Sequence, residues 1–473
     1  MKCALAAWSQ LVWCIFGRIP DEDIQMSQRL LKELTLRDFR CFREQQTARL
    51  APLTLLVGEN STGKTSFLAA VRAMLQVGTY HEDPDFRAPP YDLGSFREIA
   101  YRRAPNDSRG GADSFGLGFL CAGEEVDALS LDATFTLGDG AAPMLSAVRW
   151  SYADVWVREQ RGAEGHQTDV GCGSGSWRLP PLRDPDRRYL YGGHTSAFER
   201  LIGEAVETGT TGKLQPLQGD AGSLPIDRDH FKLVRLYFES ASFRSGALAG
   251  APIRSSPLRT YDPVRLVQDP QGFSTPAFLA NMHSRSPNEW QDMKRNLEEF
   301  GRKSGLFDDV FVKRFGRHEF EPFQLEVRKR GKKHAGARHN LIDVGYGVSQ
   351  VLPLLVELFR RDRASKFLLQ QPEVHLHPSA QAQLGSLLCE TAGSHCQLIV
   401  ETHSDYILDR IVLDIRDGRT DLTPDDVSIL YFERDDLSVT IHSIRIDDEG
   451  NVLDAPEGYR SFFRDELKRV IDY

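Results

Sequence analysis

Residues 58–65 read GENSTGKT and follow the apolar run Leu53, Leu55, Leu56 and Val57. The stretch satisfies G-x-x-x-x-G-K-[ST], the P-loop pattern, in the strand, loop and helix setting that the pattern requires. Gly58 and Gly63 allow the backbone to curl until its N–H groups converge on phosphate oxygens. Lys64 brings positive charge to the outer phosphates, and the Thr65 hydroxyl stands at a helix start, where it can ligate Mg²⁺. Glu59, Asn60, Ser61 and Thr62 complete the expected cradle, and Ser66 opens a helix predicted to continue through Phe67, Leu68, Val71 and Leu75. Binding of a nucleoside triphosphate, ATP with Mg²⁺, is therefore the first expectation.

Upstream of the loop, 31–42 and 47–50 read as strands, giving a β-rich entry to the nucleotide site. Downstream, 104–320 mixes Gly/Asp-rich turns with strand-like pieces at 129–137 and 147–157 and helical pieces at 196–207 and 287–303. None of these carries sustained heptads, so a long coiled-coil arm is not expected. Regular patterning returns with a strand at 323–330, a helix at 349–359, a strand at 367–369, a helix at 379–391 and a strand at 397–401. Strands separated by helices predict an α/β fold with a parallel or mixed sheet covered on both faces.

The chain has 473 residues, 41% of them hydrophobic, enough for more than one compact unit. A formal charge of −9 gives no global argument for nucleic-acid binding. Seven cysteines at positions 3, 14, 41, 121, 172, 389 and 396 form no C-x-x-C pair, which fits a reducing cytoplasm. The apolar N-terminal stretch is too short to span a bilayer and lacks a cleavage site, so no membrane association or export is expected. Residues 1–25 read as a peripheral extension, since MSQRLLKELTLRDFRCF from Met26 leads directly into the first strand.

A P-loop alone fits many enzymes, and the later motifs narrow the choice. GENSTGKT, then VGYGVSQ opening a helix, then a strand with QQPEVHLHP, then a strand with ETHSD, resembles in its order the ABC-class ATPases. The LHP and ETHSD segments look like the RecF/OLD-like branch, to which the ATPases of anti-phage systems such as PARIS and Septu belong. The resemblance implies an ABC-type head built from 26–103 and 321–445, an inserted α+β lid at 104–320 and a tail at 446–473. It also implies that Gly345, Gly347, Ser349 and Gln350 form the signature window, which caps the γ-phosphate bound by another subunit. His403 then matches the switch histidine.

Gln370 falls where the resemblance puts the carboxylate that supports Mg²⁺, and Gln371 where it puts the general base. A neutral amide can keep hydrogen bonds but cannot take a proton or balance the metal's charge, so binding is expected to survive while hydrolysis slows. Similar sequences often read E-Q-P-E here, making Gln370 either an introduced substitution that traps ATP or the mark of a naturally weakened enzyme. Glu373 stays close by as a proton acceptor.

The resemblance implies a homodimer, or a higher even-numbered oligomer, that closes around ATP. One expected output is a defence sensor controlling a separate effector, a nuclease or toxin; the alternative is a DNA-repair or chromosome-maintenance ATPase of the RecF or SMC kind. The roughly seventy residues after His403 are too few for a fused nuclease of the OLD type, so the effector is expected on another chain. A basic run of Arg328, Lys329, Arg330, Lys332 and Lys333 reads first as a solvated hairpin tip and second as a contact for DNA phosphates. His375, His377, His395, Cys389 and Cys396 fit no common zinc spacing.

Overall fold

The computed structural model describes residues 30–80, 83–102, 111–122, 128–162, 165–172, 175–178, 215–216, 247–262, 269–316, 318, 321–332, 334–360, 365–393 and 396–460. The expected extension at 1–25, the helix at 196–207 and Lys333 lie outside these residues.

Leu53–Gly58 is the central strand of a seven-stranded sheet. On one side it pairs in parallel with Gln397–Glu401, which pairs with Lys366–Gln370, which pairs with the edge strand Ala247–Gly250. On the other side it pairs in parallel with Val427–Asp435, after which Ser438–Ile446 and Val452–Leu453 run antiparallel. The P-loop strand is apolar apart from Thr54, whose hydroxyl is bonded to the Ala51 backbone, because both of its faces are covered. Leu56 enters one hydrophobic core, and Leu53, Leu55 and Val57 enter the other.

A nine-stranded antiparallel sheet, running from Gln215–Pro216 at one edge to Gln46–Arg49 at the other, forms a second layer. The P-loop helix Lys64–Tyr80 shares one core with both sheets through Phe67, Leu68, Val71 and Leu75. Each such side chain contributes about 1.5–3 kcal/mol when fully buried. Phe432, from the strand beside the P-loop, meets Phe67 edge to face at 5.6 Å and fixes the helix on the sheet. Helices Thr275–Arg285, Pro287–Ser304, Tyr346–Phe359, Pro378–Thr391 and Asp405–Arg416 bury their apolar stripes in the core on the opposite face. This is an α/β architecture with mixed sheets covered by helices, as the alternation of strands and helices predicted.

Described parts of the segment expected as an inserted lid share the sheets of the expected head. Ser114–Ala122 is hydrogen-bonded along Leu30–Arg37 in the antiparallel sheet, and Ala247–Gly250 is part of the parallel sheet. Patterning had marked these pieces as heterogeneous because their partners are distant in sequence. The single strand expected at 147–157 is two, Pro143–Tyr152 and Val155–Gly162, with Ala153 in the turn at φ 51°. The basic run lies on a hairpin formed by Phe323–Arg330 and Ala335–Asn340. Of the expected tail, Tyr459 packs edge to face on Tyr431 at 5.8 Å, and Arg460 pairs with Asp405 at 2.9 Å and Asp409 at 2.8 Å.

Candidate functional site

The carboxyl ends of the parallel strands converge at the P-loop, the position where open α/β sheets take ligands. The pairing register sets Gln370 beside Glu401 and Glu401 beside Leu56, so the ends of three strands meet within one crevice. Residues more than three hundred positions apart are thereby joined: the Thr65 hydroxyl donates to Glu401 Oε2 at 2.9 Å.

The loop has the conformation its glycines allow. Gly58 has φ 139°, and a Cβ there would lie 2.6 Å from the Phe432 carbonyl oxygen; Gly63 has φ 93°, and its Cβ would lie 2.4 Å from Cys41 Sγ. Ser61 adopts φ 62° without being glycine, and the Arg434 guanidinium donates to its carbonyl oxygen. Lys64 is buried and donates from Nζ to Gly58 O at 3.0 Å and Glu59 O at 2.5 Å. Burial holds its ammonium below the ordinary lysine range, against the pull of Glu401 and Glu59. Asn60 and Glu59 are exposed at the rim, Thr62 caps back onto Glu59 O at 2.8 Å, and Ser66 is buried in the first helical turn.

Gln370 ends its strand buried, beside Glu401 in the pairing register. Gln371 sits at φ 40° and donates its backbone N–H to Glu401 O at 2.8 Å. Positive φ at a non-glycine residue is a conformation that persists where surrounding structure imposes it. Glu373 is 7% exposed; its Oε1 accepts the His403 backbone N–H at 2.8 Å, whereas Oε2 lacks a well-formed hydrogen bond, with only the Thr402 hydroxyl in its vicinity. Burial raises both carboxyls, Glu373 and Glu401, above the usual carboxylate range. His403 presents an exposed ring whose partial desolvation, together with the Lys64 charge, holds it below the ordinary histidine range.

The signature window divides. Gly345 and Tyr346 are exposed at the start of their helix, and Gly347 abuts the segment after Gln371: a Cβ on it would lie 2.7 Å from His375 O. Ser349 and Gln350, expected to face nucleotide, instead turn inward. Ser349 donates to Tyr346 O at 2.9 Å, and the Gln350 Oε1 accepts the Arg254 backbone N–H at 3.0 Å. The apolar helix face on which both residues lie is needed for the core, so the accessible part of the window is Gly345, Tyr346 and Gly347.

Two residues escaped the reading of the sequence. Glu401 was taken as the last position of a buried strand, and only the pairing register reveals its contact with Thr65. Arg254, 5% exposed, donates from its guanidinium to Gln350 O at 3.1 Å and feels the charge of Glu373; nothing in its local sequence signals this. In the basic run, Arg328 and Arg330 both pair with Asp309, holding its carboxyl far below the usual range. That leaves fewer free cations for phosphate than the sequence suggested.

Hard oxygen donors suit Mg²⁺, and the Thr65 hydroxyl with a buried carboxylate against it, inside a loop that a Cβ would obstruct, fits Mg·ATP. Among the described residues, no group of three or more His, Cys, Asp or Glu side chains forms a self-contained metal site. Among the same residues, no helix is long and apolar enough to cross a membrane.

Comparison with known proteins agrees with this geometry. Residues 30–113 match a family described as "AAA ATPase domain", and 238–409 match "AAA domain, putative AbiEii toxin, Type IV TA system". Residues 422–468 match "Protein of unknown function (DUF3696)". The chain is similar to the OLD nuclease of Thermus scotoductus, 24% identical over 441 residues that take in 86% of this chain and 65% of that protein. It is also similar to the DNA replication and repair protein RecF of Thermosynechococcus vestitus, 47% identical over 57 residues, 12% of this chain and 15% of that protein. The chain thus spans less than two thirds of either relative. A solved SMC head bound to the C-winged helix domain of ScpA covers 88% of this chain and 97% of its own at 12% identity and a TM-score of 0.43. The SMC head domain from Thermotoga maritima covers 88% and 99% at 12% identity and a TM-score of 0.38. At that distance the two structures carry no weight. The chain is thus similar, in parts, to ATPase-domain families, to an OLD nuclease and to a RecF protein.

Proposed function

We propose that this chain is an ATP-operated switch of the cytoplasm: two copies close around Mg·ATP, and slow hydrolysis reopens them. The observation that carries this reading is the hydrogen bond from Thr65 to Glu401, which joins the P-loop to the strand ends of the chain's other half in one pocket. The P-loop amides and Lys64 bind and orient the phosphates, and Thr65 is placed to hold the metal. Mg²⁺ neutralises phosphate charge when bound. Glu373, buried with one oxygen poorly satisfied, takes the proton of the attacking water, because Gln371 has no basic group. Its bond to the His403 backbone ties this base to the switch segment. Tyr346 and Tyr406, both exposed, offer the second copy an aromatic surface.

The similarity to the OLD nuclease, and a matched family whose description names a toxin, support anti-phage defence as the setting, with a separate nuclease or toxin as the effector. The test is equilibrium binding of a fluorescent ATP analogue. Lys64→Ala should weaken binding by about a hundredfold or more, the loss of charge-assisted phosphate contacts. Unchanged binding would overturn the pocket.

A further inference from the structure

Glu401 is 5% exposed and stands on the strand immediately beside the P-loop strand. Its Oε2 accepts the Thr65 hydroxyl at 2.9 Å, Gln370 lies beside it in register on the next strand, and the Gln371 N–H takes its backbone carbonyl at 2.8 Å. Burying a carboxylate without a full counter-charge is costly. Lys64 is the cation that acts on it, and that ammonium is occupied with the carbonyls of Gly58 and Glu59. Packing alone would be served as well by glutamine, which could exchange the same hydrogen bonds. A charge kept here implies a cation that is to be met.

Gln370 pairs in register with Glu401. The negative charge missing from Gln370 is thus one strand over, on the side nearer the P-loop and in contact with the residue placed to hold the metal. We propose that Glu401 is the carboxylate that supports the Mg²⁺ of bound ATP, and that Gln370 acts as its positioning residue. The inference rests on the ATP pocket proposed above. It means that the neutral amide at 370 does not abolish metal-coupled nucleotide binding in this chain.

The experiment measures affinity for a fluorescent ATP analogue with Mg²⁺ and with EDTA, in the parent, Glu401→Gln, Glu401→Asp and the double variant Glu401→Gln/Gln370→Glu. In the parent, Mg²⁺ should tighten binding. Glu401→Gln should lose about 10–100-fold of that metal effect, read as the ratio of its affinities with Mg²⁺ and with EDTA. Glu401→Asp, which keeps the charge, should retain part of the effect, and the double variant, which returns a carboxylate to the neighbouring strand, should recover it. A full metal effect in Glu401→Gln would overturn the inference. So would equal losses in the Gln and Asp variants when both melt as folded proteins. Lys64→Ala in the same assay separates the two ideas: if it binds ATP normally, the pocket itself fails; if it does not, the result for Glu401 bears on the metal alone.

Discussion

At the scale of single residues, the pocket carries two buried acids, Glu373 and Glu401, both raised above the ordinary carboxylate range chiefly by burial. A carboxyl whose value is higher in the folded than in the unfolded chain holds its proton more tightly when folded. Stability is therefore gained as pH falls from the raised value toward the unfolded one, and above that window the ionised group is a standing cost. Glu401→Gln removes one such cost, so in the absence of nucleotide it should raise the melting temperature at pH 7.5 by a few degrees. The gain should shrink as the pH approaches 5. Thermal melts of variant and parent across that range check the sign: a variant that melts lower at every pH would mean that the Thr65 hydroxyl stabilises the fold through a charge-assisted hydrogen bond to the carboxylate.

Among the elements, the helix Tyr346–Phe359 decides whether a second copy can be met. Its N-terminus, with unpaired N–H groups and a favourable dipole, suits an anion. Its position is fixed on two sides: Arg254 grips Gln350, and Gly347 lies against the His375 backbone at a spacing that excludes a Cβ. Gly347→Ala should force that contact apart at a cost of about 1–3 kcal/mol. It should also abolish ATP-driven association while leaving the affinity of a single copy for nucleotide unchanged. Sedimentation with and without Mg·ATP reads the first effect and analogue binding the second; normal association would show that the helix start does not form the interface.

The elements themselves were largely legible in the sequence. Gln397–Glu401 and Phe323–Arg330 have the bounds their apolar patterns suggested. Ser349 and Gln350 were misjudged because a motif fixes which residues open a helix but not how that helix is rotated, and rotation is set by the core it must fill. Glu401 and Arg254 were invisible for a related reason. Their partners, Thr65 and Gln350, lie 336 and 96 positions away, and only register and packing bring them together.

Across the whole molecule, two cores lie on opposite faces of one parallel sheet whose central strand comes from the N-terminal part and whose neighbours come from the C-terminal part. Neither part can bury its strands without the other, so forming the sheet and assembling the pocket are a single event. Gly345 and Tyr346 are exposed, and in the dimer proposed above the pocket of one chain is completed by the window of another. ATP becomes the shared ligand that shifts a monomer–dimer equilibrium. The most direct test is the solution mass of the protein by light scattering, at high concentration, without nucleotide and with saturating Mg·ATP. Doubling of the mass with Mg·ATP, and its absence in Lys64→Ala, is the predicted result; a protein that binds Mg·ATP and stays monomeric would contradict the account.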